Sequence, residues 1–186
     1  MDRAGQTKGQ ARRRLRAHRR RLAGSRDLGA DAEAIAAAVT GATPFASGTV
    51  LSYESLPHEP PTTALNAALR RAGHRVLVPI TLPDRRLEWC DLGDPERTPL
   101  GIDTPAAADG AIVPALAVDT SGTRLGQGGG CYDRVLPMLP AGTPVLVLLH
   151  PGEHTRETLP RDPHDVPVTT VVTATGIAEA SAPLRA

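Results

Sequence analysis

A chain of 186 residues with 40% apolar side chains is long enough for one domain with a single sizeable core, so one domain spanning residues 1–186 is expected. The 21 basic and 20 acidic residues leave a net charge of +1, which argues against a general nucleic-acid or anionic-membrane binder, and two cysteines, Cys90 and Cys131, are too few for a disulfide framework and lack metal-ligand spacing. No apolar run reaches the roughly 18 residues of a membrane span and no apolar core follows the basic start, so a cytoplasmic protein is expected, one whose aromatic supply is limited to Phe45, Tyr53, Trp89 and Tyr132.

In chain order, Thr7 to Leu22 has apolar residues only at Ala11, Leu15, Ala17 and Leu22, the pattern of a largely solvated helix lying on the body within a basic segment 1–24. Ten of the 21 basic residues fall between Arg3 and Arg26, a run that reads as a solvated face or as an RNA-binding arm. Lys8 stands out as the one lysine beside twenty arginines. Asp27 to Thr40 is alanine-rich and stops at Gly41, as a second helix would.

A short strand at 49–53 precedes the loop 54–62, which carries Glu54 and Glu59; an amphipathic helix with Leu65, Ala68 and Leu69 follows, ending near Gly73, and then a strand at 75–80. Strand, loop, helix and strand in this order make one parallel unit, and ligands of open parallel sheets sit beyond the carboxyl ends of strands, which places the loop well for a substrate group. Glu59 could equally cap the helix that follows. Leu87-Glu-Trp-Cys90 has the character of an edge strand in a small hairpin. The near-continuous apolar runs at 111–114 and 143–149 suit parallel strands covered on both faces. These units predict an α/β protein, a three-layer sandwich around a mostly parallel, Rossmann-like sheet, with residues 177–186 as a disordered tail.

The stretch Arg124-Leu-Gly-Gln-Gly-Gly-Gly-Cys-Tyr-Asp-Arg134 is the most informative in the chain. Glycine at 126, 128, 129 and 130 leaves backbone N–H groups unshielded and able to wrap a phosphate. The flanking arginines add positive charge, and Asp133 offers a hard oxygen ligand for a magnesium ion shared with a nucleotide, where the loop meets an apparently helical segment at 135–139. The bland alternative is a glycine-rich turn between a strand and a helix. The spacing is neither that of the P-loop nor that of the dinucleotide-binding turn.

Together with Val113-Pro-Ala-Leu116 and Asp119, this stretch closely resembles the signature of the 5-formyltetrahydrofolate cyclo-ligases, also called methenyltetrahydrofolate synthetases. The resemblance runs from Lys8 to Thr173 and implies an ATP- and magnesium-dependent enzyme that closes the ring of 5-formyltetrahydrofolate to 5,10-methenyltetrahydrofolate. It implies ATP contacts at Lys8, Arg12, Arg124, Leu125, Gly126, Gln127, Gly128, Gly129, Gly130, Cys131 and Tyr132, with Arg124 and Tyr132 catalytic. The four-residue spacing puts Lys8 and Arg12 on one helical face, within reach of one polyphosphate. It also implies folate contacts at Glu54, Glu59, Gln127, Gly128, Gly129, Gly130 and Cys131, and magnesium at Asp133 and Asp165. His164, beside Asp165, more often orients a neighbour than acts as acid or base.

Four positions depart from the family pattern: Gln127, Cys131, Thr169 and Ala174. They keep open a degenerate relative that binds ATP but acts on another small molecule or regulates. An RNA-associated protein using the basic arm is the third class, poorly supported by the near-neutral charge and scarce aromatics. ATP and a reduced folate are the expected partners of a monomer, with neither membrane nor nucleic acid.

Overall fold

The computed structural model describes residues 7–42, 44–45, 48–163 and 165–181. Helix α1 (Lys8–Gly24) begins at a reciprocal cap: the Thr7 hydroxyl accepts from the Gln10 backbone N–H, and the Gln10 side chain accepts from the Thr7 N–H. Helix α2 (Leu28–Ala42) is started by Asp27, whose Oδ1 accepts from the N–H groups of Gly29 and Ala30, both at 3.0 Å. Helix α3 is Thr63–Arg71, and α4 is the short Cys131–Val135.

Among the described residues, seven strands form the main sheet: β1 (Thr49–Leu51), β2 (Arg75–Thr81), β3 (Leu87–Asp91), β4 (Gly110–Pro114), β7 (Val145–Leu148), β9 (Thr170–Thr173) and β10 (Gly176–Glu179). Their order is β10-β9-β7-β4-β1-β2-β3. The five inner strands are parallel, with Val50 opposite Val76 and Ile112 opposite Leu146, and both edges are antiparallel. A smaller sheet joins β5 (Ala117–Asp119), β6 (Arg124–Leu125) and β8 (His154–Thr155) in the order β6-β5-β8.

Alternation along the strands divides the core in two. Val50, Val76, Ile112, Leu146 and Val172 face α2 and α3, meeting Ile35, Val39, Leu65 and Leu69. Leu51, Leu77, Val113, Val147 and Val171 face the other way, toward Trp89, Val118, Val135 and Leu136. Helix α1 lies on the small sheet through Ala11 and Leu15, which meet Leu116, Leu125 and Leu159. The expected sandwich is therefore present, but its third layer is built from α4, a 3-10 turn at 136–138 and the small sheet rather than from long helices. No helix of the described residues is long and apolar enough to cross a membrane.

Three expectations need correction. The helix foreseen at 135–139 starts four residues earlier and ends at Val135, where a 3-10 turn at 136–138 takes over; Pro137 within that turn has no N–H with which to continue an α-helical ladder. Residues 177–179 are strand β10 rather than the start of a tail: the chain reverses at Gly176 (φ 128°), covers the open edge of β9, and buries Ala180. Residues 182–186 lie outside the described residues. Finally, α1 is not simply solvated, because Arg19 is 3% exposed and carries a buried ion pair.

Candidate active site

Strand order reverses between β4 and β1, so the chain leaves their carboxyl ends in opposite directions and opens a crevice there. A cavity of about 380 Å³ occupies it. Lys8 and Arg12 of α1, Glu54 and Glu59 of the 54–62 loop, every residue from Arg124 to Asp133, and Asp165 all line this one cavity. Residues that are far apart in sequence and were selected as candidates are thus brought together. His164 lies outside the described residues.

One wall is cationic. Arg12 Nε donates to the Gly126 carbonyl at 3.1 Å, and Arg16, one turn further along α1, donates to the side-chain oxygen of Gln127 at 2.9 Å and to its carbonyl. Lys8 Nζ lies 2.7 Å from Asp162 and 2.5 Å from Asp165. Burial works against its charge, but the two carboxylates outweigh it and raise the Lys8 pKa above its ordinary value. Arg124 is buried and paired with Asp133. Burial pushes its guanidinium pKa down, while the charge of Asp133 pushes it back up.

The glycine-rich loop is shaped by these cations. Gly128 has φ 103°, a conformation that favours glycine, and a Cβ there would lie 3.3 Å from the Arg12 side chain, which would have to give by a few tenths of an ångström. Gly130, at φ 67°, takes the left-handed conformation that starts α4. A helix of five residues has little macrodipole, so anion binding in this loop must come from its N–H groups and the guanidiniums around it rather than from a helix start.

The cavity also has apolar lining in Tyr53, Leu56, Pro79, Leu87, Pro114 and Leu125. Glu59 is 5% exposed and lines the same cavity. Its carboxylate accepts from the Leu56 N–H at 3.0 Å and from Gln127 Nε2 at 3.4 Å. It therefore closes its own loop and reaches the glycine-rich loop instead of capping α3, whose first residue follows a Thr62 with no side-chain cap bond. Glu54 stands at the rim, paired with Arg97 at 2.8 Å.

Tyr53 and Tyr132 both place buried hydroxyls here without a hydrogen-bond partner among the described residues. Burial, assisted by Glu59, pushes both phenols well above their ordinary pKa, so each remains a neutral donor. Tyr53, Arg16 and the apolar wall were not among the sequence candidates. The signal for Tyr53 was its place just beyond a parallel strand's carboxyl end; for Arg16 it was the continuation of the Lys8, Arg12 stripe by four more residues.

The cavity offers two carboxylates for magnesium, Asp133 and Asp165, and the described residues contain no group of three or more His, Cys, Asp or Glu able to hold a metal. This is an all-oxygen donor set of the size magnesium uses when substrate phosphates and water complete its shell, so the residues fit the ion. Of the four departures from the family pattern, Gln127 and Cys131 line the cavity, whereas Thr169 and Ala174 are not among its lining residues. Gln127 is engaged by both Arg16 and Glu59, so it links α1 to the 54–62 loop.

Comparison with known proteins points the same way. A sequence model of the 5-formyltetrahydrofolate cyclo-ligase family matches residues 4–174. A 5-formyltetrahydrofolate cyclo-ligase from Mycolicibacterium smegmatis is 37% identical over 142 residues, covering 67% of this chain and 73% of the relative. The fold is similar to a 5,10-methenyltetrahydrofolate synthetase from Mycoplasma pneumoniae, with a TM-score of 0.73 at 18% identity over 91% of this chain and 99% of that one. It is also similar to the synthetase of Aquifex aeolicus, with a TM-score of 0.68 at 21% identity over 96% and 95% of the respective chains.

Proposed function

The chain belongs to the 5-formyltetrahydrofolate cyclo-ligase family, and on that premise we propose that it converts 5-formyltetrahydrofolate to 5,10-methenyltetrahydrofolate, consuming ATP and releasing ADP and phosphate. The observation that supports this most directly is the mixed lining of one cavity. Its cationic, glycine-rich residues suit a polyphosphate, and its apolar residues, with Glu59 and two phenols that no described residue hydrogen-bonds, suit a flat heterocycle with N–H groups.

A formamide oxygen is a poor leaving group, so it must be activated. The oxygen attacks the γ-phosphorus, ADP leaves, the neighbouring folate amine closes on the activated carbon, and the C–O bond breaks to release phosphate. Phosphoryl transfer depends mostly on positioning and charge stabilisation. Lys8, Arg12 and Arg124 would neutralise the phosphates while the N–H groups of 126–130 hold the group in flight. Asp133 and Asp165 would hold magnesium, which when bound neutralises charge between adjacent phosphates. Glu59 would orient the pterin ring through its N–H groups, and Tyr132 would supply a ring face and a neutral donor.

The test is the absorbance change on ring closure with ATP, magnesium and 5-formyltetrahydrofolate, alongside ADP release. Both should appear and both should require the folate. ATP binding with neither folate-dependent ADP release nor folate binding would refute the proposal.

A further inference from the structure

The turn that carries Glu59 has an unusual conformation. Residues Leu56-Pro57-His58-Glu59 close with the Glu59 N–H donating to the Leu56 carbonyl at 3.0 Å, and His58 adopts φ 70°. That value suits the third residue of a type II turn, which Pro57 favours at the second position; histidine visits positive φ more readily than most residues but less freely than glycine. The turn is closed from within by the Glu59 carboxylate, which accepts from the Leu56 N–H. One contact from outside it adds a further restraint.

The contact that reaches it from the sheet is His150. This residue follows the carboxyl end of β7, is 1% exposed, and places Nε2 3.0 Å from the His58 carbonyl oxygen. A carbonyl only accepts, so Nε2 carries the proton. The backbone beneath the ring is fixed, since the His150 N–H donates to Glu153 Oε2 at 2.8 Å, while Nδ1 lies 3.9 Å from Asp31 Oδ2 of α2, beyond hydrogen-bond distance. Glu153 is fixed by Arg19, and Asp31 by Arg26 at 2.6 Å. A rigid, buried frame thus ends in one N–H aimed at the strained residue beside Glu59.

We infer that His150 is a positioning residue for folate, holding the 56–59 turn so that Glu59 faces the cavity. This rests on Glu59 as a folate contact. It assigns His150 no contact with either substrate, so its removal should affect folate and spare ATP.

The experiment compares KM values for both substrates and the calorimetric Kd for 5-formyltetrahydrofolate. His150→Phe keeps a ring and loses the donor; it should raise the folate KM and Kd about two- to twelvefold, the range of one net hydrogen bond, with the ATP KM unchanged. His150→Gln, which can still donate, should recover most of the loss. His58→Gly in the His150→Phe background should also recover it, because glycine adopts the turn without the pin. His150→Met carries the same expectation should the phenylalanine variant not fold. If Glu59→Gln weakens folate binding while His150→Phe and His150→Met do not, the positioning role is overturned and the Glu59 contact stands. If Glu59→Gln leaves folate binding intact, or the parent binds no folate, both are overturned. Equal losses for ATP and folate, unrelieved by His58→Gly, would mark His150 as merely structural.

Discussion

Lys8 sits between Asp162 and Asp165 in a cavity where a second cation, Arg124, is paired with Asp133. Nucleotide binding there would be an exchange of partners, in which phosphate oxygens take these two cations from the carboxylates. Lys8→Ala should raise the ATP KM much more than the folate KM in initial-rate assays, with Arg13→Ala, on another face of α1, as the control; equal effects would exclude a direct phosphate contact. The charge of Lys8 should persist throughout ordinary assay conditions. Its pKa is raised, so its contribution to folding is fully present below about pH 10.5 and is lost only as pH rises through the higher folded value.

Asp133→Asn separates two roles of one carboxylate. If Asp133 helps hold magnesium, the variant's magnesium titration should move to higher concentration, with a rate loss on the order of a hundred- to a thousandfold. If Asp133 only restrains Arg124, activity falls but the titration does not move. At this scale much of the site was legible, because cationic and glycine residues at fixed spacings state their chemistry openly. Tyr53 and His150 were not legible, since an isolated tyrosine or histidine acquires a role only from what the fold sets beside it.

Helix α1 is held by an ion pair that its sequence conceals. Arg19 and Glu153, with side chains 4% and 0% exposed, meet at 2.5 Å, and Arg19 also donates to the Ala115 carbonyl. Removing one partner of a buried pair strands the other charge, so Arg19→Ala should cost about 3–5 kcal/mol in denaturant unfolding. Arg14, paired with Glu157 at 2.7 Å but with both side chains about a third exposed, should matter far less: Arg14→Ala is expected to cost at most about 1 kcal/mol. A run of arginines looks uniformly solvated in sequence, and only the position of the small sheet decides which of them is buried. Element limits followed the same logic. The apolar spacing located α1, whereas the two-residue strands β6 and β8 carry no period long enough to detect.

At the scale of the whole molecule, the apolar runs at 111–114 and 143–149 and the unit from 49 to 80 made the parallel sheet legible, because strands buried on both faces have little choice of composition. Strand order was not legible, since it depends on which edge each crossover reaches. The polar partners that α1 finds on the body all lie far downstream: Ala115, Gly126, Gln127, Glu153, Glu157, Asp162 and Asp165 come between 96 and 157 residues after the α1 residue each one holds. On a ribosome adding about 5–20 residues per second, the helix emerges on the order of 5 to 30 seconds before those partners exist. Its arginine-rich surface lets it wait in water without aggregating. The cavity contacts of α1 are consequently complete only once residue 165 has been made, and a nascent chain can lay down β1, β2, β3, β4 and β7 of its main sheet before Lys8 meets Asp165.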